Sequence, residues 1–136
     1  YWNGTDADTR LNPQSMAKTL VALLVGVAID RGEIGGADDP VGRYVSAWRD
    51  DPRGRITLRQ LLQMASGLAQ VDAGHGFAMT PANPAVRQYF GDDFDREMLA
   101  LAQVDPPGAK FDYNNNATLL VARALEAASG RSYARL

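Results

Sequence analysis

Apolar residues fill nearly every position from Leu20 to Ile29, a run bounded by Lys18 on one side and by Asp30 and Arg31 on the other. A segment apolar on all sides is read as a helix at the centre of a core rather than on a surface. The pattern predicts a helix from Ser15 to about Arg31, with Gly32 as its stop. A second periodic stretch is amphipathic: Leu58, Leu61, Leu62 and Ala65 fall at i, i+3, i+4 and i+7, behind Thr57 as cap and ahead of Gly67. Ala117 to Ser129 reads as a third apolar helix ended by Gly130, and Phe94 to Val104 as a fourth. Asp39-Pro40 has the form of an N-cap followed by a first-turn proline, opening a short helix through Val45, with Trp48 packed nearby.

Between these elements the period is lost. Residues Ala69 to Ala85, rich in glycine and proline, read as a long irregular loop that forms a wall of a cleft. Pro106-Pro107-Gly108 is a turn. Tyr1-Trp2-Asn3-Gly4 gives a hairpin signal with no strand before it, and Ser132 caps a helix that stops within a turn. Both ends therefore read as cut, the chain being an internal piece of a longer protein.

Composition adds limits. With 136 residues, 46% hydrophobic and 22% charged, the chain is sized for about one globular domain. A net charge of −2 leaves no basic patch, so nucleic acid is not an expected partner. The apolar run falls short of the roughly 20 residues of a membrane span. Zero cysteines remove disulfides and thiolate metal sites without fixing a compartment. Asp6, Asp8, Asp92 and Asp93 lack the spacing of a calcium loop and read as caps and turns, so neither metal nor organic cofactor is expected. His75 stands alone as the one histidine, in the irregular loop, which excludes a Ser-His-Asp triad.

The remaining chemistry lies at Ser15 and Lys18, one helical turn apart at the mouth of the apolar run. A serine hydroxyl is a weak nucleophile until a base lies within hydrogen-bond reach, and a lysine can supply one. The S-x-x-K pattern alone carries little weight, since a chain of this size holds it by chance about half the time. Its place at the start of a helix adds free backbone N–H groups and the positive dipole end. The plain alternative makes Ser15 a cap and Lys18 a solvated first-turn residue. About a hundred residues later, Phe111-Asp112-Tyr113-Asn114-Asn115-Asn116 precedes a helix. Tyr113 becomes a base if a cation stabilises its phenolate, and Asn115 can hydrogen-bond an amide substrate. The alternative has the three asparagines simply capping the helix.

Together, Ser15-Met16-Ala17-Lys18, Asp38-Asp39-Pro40, the stretch Ile56 to Leu68 containing Gln63-Met64-Ala65-Ser66-Gly67, and Pro107-Gly108 before Phe111-x-Tyr113-x-Asn115 resemble the serine beta-lactamase and penicillin-binding-protein superfamily. The resemblance leans to its class C branch, with esterases and 6-aminohexanoate-dimer hydrolases. It implies an α/β fold of an antiparallel sheet and a helical lobe, of which this chain carries mainly the helical lobe plus a β-hairpin remnant. Residues 1–136 would be a partial domain lacking the N-terminal strands and the C-terminal half of the sheet. By the same resemblance Ser15 is the acylated nucleophile, Lys18 its proton acceptor or relay, Tyr113 the general base and acid, and Asn115 a residue orienting substrate and lysine. The substrate would be a small-molecule ester, amide or lactam, and a periplasmic or secreted location fits the family, as a cytoplasmic one also does. The family's third motif, a Lys-Thr-Gly or His-x-Gly strand, has no match after Asn115, so the piece alone is expected to be inactive. A non-catalytic binding homologue of the same fold is the competing reading.

Overall fold

The computed structural model describes residues 4–70, 86 and 94–135. Four α-helices lie wholly among them: α1, Ala17–Asp30; α2, Leu58–Leu62; α3, Phe94–Leu99; and α4, Asn115–Ser129. Short 3₁₀ turns join them, and the only β pairing among the described residues is two isolated bridges, Pro40 with Thr57 and Leu68 with Gln103. The chain is thus mainly α, as a helical lobe of the beta-lactamase-like fold should be. The expected hairpin remnant falls largely on residues 1–3, and the long loop with His75 on residues 71–85, both outside the described residues.

Helix α1 continues from a 3₁₀ turn, Gln14–Met16, and stops at Gly32 in the left-handed conformation. It packs on α4, and α4 also packs on α2. The core collects Val21 and Val25 from α1, Leu58 and Leu61 from α2, Met98 from α3, and Leu120, Val121 and Leu125 from α4, around Trp48 and Ile56. The reading of α1 as buried on every side is corrected here. Val21, Val25 and Ala28 are buried, but Leu20 and Leu23 remain 57% and 61% exposed. Among the described residues, only one side of α1 packs against another α-helix, which leaves Leu20 and Leu23 on the other side exposed.

Three other boundaries differ from the sequence pattern. Asp39 does not cap a helix at Pro40; its carboxylate accepts from Gly35 N–H, Arg43 and the Tyr44 hydroxyl, and a 3₁₀ turn, Val41–Arg43, replaces the longer helix. Helix α2 ends at Leu62 rather than Ala65, because Met64 takes φ +54 and turns the chain. Helix α3 ends at Leu99 rather than Val104. The Leu99 carbonyl accepts from Trp48 Nε1 and Arg53, and the Leu101 carbonyl accepts from Arg53 at 2.7 Å. Carbonyls held from the side by an arginine and an indole leave the axial direction a helix requires.

The start of α2 follows its sequence signal closely. Thr57 Oγ1 accepts from Gln60 N–H at 3.1 Å, and Gln60 Oε1 accepts from Thr57 N–H at 2.9 Å, a reciprocal capping box. Thr57→Ala removes the acceptor of Gln60 N–H, while the backbone N–H at 57 can still donate to Gln60 Oε1. It should cost about 1–2 kcal/mol in a urea melt, with Thr57→Ser close to the parent.

Candidate active site

Gln14 enters the site backbone-first. It takes φ +49, and its N–H is held by the Asn12 side chain at 2.9 Å. A non-glycine residue in that region costs on the order of 1 kcal/mol or more, and such strain gathers where a neighbour must be aimed. Here the neighbour is Ser15, on the turn that leads into α1, with its side chain in the open. Neither the sequence pattern nor residue type marked Gln14, since glutamine carries no preference for the left-handed region.

One turn on, Lys18 Nζ donates to Ser15 Oγ at 3.1 Å. The Tyr113 hydroxyl donates to the same oxygen at 2.7 Å, from a residue 98 positions away. Lys18 Nζ also lies over the Tyr113 ring, 5.1 Å from its centroid. Ser15 makes no side-chain cap, and Lys18 is half-buried rather than extended into solvent, so the plain alternative for this pair does not describe the structure. The phenol of Tyr113 is pulled below its ordinary range. Hydrogen bonding by Lys18 contributes most, then hydrogen bonding by Ser15; desolvation opposes them, and the lysine's charge adds a lesser lowering.

Of the three asparagines, Asn114 is the cap: it is buried, and its Oδ1 accepts from Asn116 N–H at 2.9 Å. Asn115 opens α4 with an exposed side chain and makes no hydrogen bond to Ser15, Lys18 or Tyr113. It shares with Lys18 the lining of a mostly apolar cavity of about 520 Å³ between α1 and α4, walled by Val21, Met98 and Leu119.

Tyr113 is placed by a second strip of backbone, residues 64–70. Asp112 N–H donates to the Met64 carbonyl at 2.7 Å, and Gly108 N–H to that of Ala65 at 2.7 Å. Asn114 Nδ2 donates to the carbonyls of Leu68 and Ala69 at 3.3 and 3.2 Å. Gln70 Nε2 donates to Asp112 Oδ1 at 2.7 Å and to the Tyr113 carbonyl. The motif ending at Leu68 was legible as structure, but nothing in its residue types pointed to Gln70.

Among the described residues no other cluster competes. Asp6 is spent on a local turn, accepting from Thr9 Oγ1 and Asp8 N–H. Among the described residues no three His, Cys, Asp or Glu side chains gather as metal ligands, and no helix is long and apolar enough to cross a membrane.

The fold has counterparts among known proteins. A protein from Bacteroides dorei described as a candidate beta-lactamase is 32% identical, with a TM-score of 0.76 over 96% of this chain and 36% of its own. A D-stereospecific amidohydrolase from Streptomyces is 26% identical, with a TM-score of 0.68 over 96% of this chain and 40% of its own. A candidate 6-aminohexanoate-dimer hydrolase from Bacillus anthracis is similar in fold at 21% identity, with a TM-score of 0.76 over 98% of this chain and 37% of its own. The chain therefore spans little more than a third of the length of these structures. No curated protein matches it. The beta-lactamase family profile matches residues 2–136, and the chain belongs to the beta-lactamase family.

Proposed function

We propose that this chain carries the acylation machinery of a serine hydrolase that cleaves a small-molecule ester, amide or lactam. The observation that supports it most is the single oxygen, Ser15 Oγ, in hydrogen-bond contact with both Lys18 Nζ and the Tyr113 hydroxyl. In this reading the Tyr113 phenolate, stabilised by Lys18, takes the Ser15 proton as Oγ bonds to the substrate's carbonyl carbon. The tetrahedral intermediate collapses by breaking the bond to the leaving group, which receives that proton from Tyr113. Water then gives a proton to Tyr113 and adds to the acyl carbon, and Ser15 leaves with the proton restored. Ser15 N–H supplies one oxyanion donor. Asn115, at the mouth of the cavity beside Lys18, orients the substrate's amide or carbonyl.

In this reading the domain also has a sheet, outside these residues, that covers Leu20 and Leu23 and carries the third motif with the second oxyanion donor. The complete protein is therefore the right reagent. Incubated with a fluorophosphonate and, separately, with a penicillin, it should gain one adduct, which peptide mapping puts on Ser15. Absence of any adduct, or an adduct unchanged in Ser15→Ala, would refute acyl transfer and leave a binding homologue of the same fold.

A further inference from the structure

Resting on that reading, we infer that Gln70 is a positioning residue for the general base, its carboxamide locking the Tyr113 loop by bridging the Asp112 carboxylate and the Tyr113 carbonyl. Both N–H groups of one amide are used. One goes to Asp112 Oδ1 at 2.7 Å and the other to the backbone of the residue whose phenol reaches Ser15. With its donors so engaged, Gln70 acts through the loop and not on the substrate.

The rest of the clamp shows why the bridge matters. Asn114 is tied to Leu68 and Ala69 on one side of Tyr113, and Asp112 N–H to Met64 on the other. The Tyr113 carbonyl and the Asp112 side chain lie between those anchors, and Gln70 holds both. Tyr113 is 44% exposed, so packing does little to aim its phenol. Its 2.7 Å contact with Ser15 depends on where the backbone at 113 is fixed. Among the described residues the charged group in contact with the phenol is Lys18 on α1; on the same loop the Asp112 carboxylate is turned to Gln70 and Lys110 is paired with Asp105 at 2.8 Å.

Two substitutions separate positioning from bulk. Gln70→Ala removes both donors. Gln70→Glu keeps the shape but, when ionised, turns an acceptor toward a carboxylate and a carbonyl. In the complete protein, each should lower kcat on a nitrophenyl ester by about 10- to 100-fold, with KM within about threefold, because a displacement near 1 Å at a reacting group costs on that order. Gln70→Glu should be at least as impaired as Gln70→Ala. A merely steric role predicts instead that glutamate is tolerated. Titration of Tyr113, followed by ultraviolet difference absorbance against Tyr113→Phe, should move upward in both variants as the phenol drifts from Lys18. This readout needs no turnover, so it tests the clamp even where the complete protein proves to have no hydrolase activity. Parental kcat together with parental titration of Tyr113 in both variants would overturn the inference. So would a fall in kcat that merely tracks a fall in Tm.

Discussion

Lys18→Met is expected to lower kcat/KM of the complete protein by about a thousandfold, roughly 4 kcal/mol of transition-state stabilisation, approaching the loss for Ser15→Ala. Methionine keeps the length and apolar stem of lysine but removes the cation. Two functions go at once: the donor at 3.1 Å from Ser15 Oγ, and the hydrogen bonding, with a lesser part from charge, by which the ammonium pulls the Tyr113 phenol below its ordinary range. The sign of the pH effect follows. The phenol works as a base only when deprotonated, so activity of the parent rises through its lowered pKa. Without Lys18 that pKa returns upward, and the rising limb of the pH–rate profile moves to more alkaline pH. Lys18→Arg should not rescue, since a planar guanidinium cannot place one compact ammonium between an oxygen and a ring face. Because the residues act as a unit, the double variant Ser15→Ala, Lys18→Met should fall no more than about tenfold below the worse single variant. A Lys18→Met protein with parental kcat/KM would show that the lysine is a bystander.

The largest stability effect is expected at Gly67. It has φ +72, and a Cβ built there would lie 2.1 Å from the Asp105 carbonyl oxygen and 2.9 Å from its carbon. Both obstacles are backbone, so no side chain can swing aside. The crowded segment is also bonded to Gly67: Val104 and Asp105 N–H both donate to its carbonyl, at 2.9 and 3.1 Å. Gly67→Ala should therefore cost more than about 4 kcal/mol, most of the margin of an ordinary domain. Gly130 supplies the control. Its φ of +67 is nearly the same, but open space surrounds it, so Gly130→Ala should cost only about 1 kcal/mol for the left-handed backbone. Comparing the two in guanidinium melts isolates the collision from the dihedral. Equal losses would mean that residues 104–106 yield to the extra methyl.

How far the residues announce the fold depends on how local the deciding interaction is. The Thr57 cap, the Gly32 and Gly130 stops and the Ser15–Lys18 pair were legible because each is settled within one helical turn. Tyr113 is different: its role rests on a partner 98 positions away, and only the joint order of motifs pointed to it. The overextended reading of α3 failed for a related reason. Arg53 and Trp48 reach carbonyls 46 to 51 positions distant, and no local period reports that. Asp39 carried a true capping pattern but found better partners in Tyr44 and Arg43. Gln70 left no trace at all, because a glutamine bonded to a carbonyl and a carboxylate has the same letter as one in water.

Ser15 and Lys18 travel on one element and Tyr113 on the loop that leads into another, so the constellation exists only while α1 and α4 stay docked. In the proposed reading, acylation of Ser15 is then a gauge of tertiary contact rather than of helix content. Each helix can keep its own hydrogen bonds through a small slip between them, while Ser15 loses the Tyr113 hydroxyl that reaches it from across the gap.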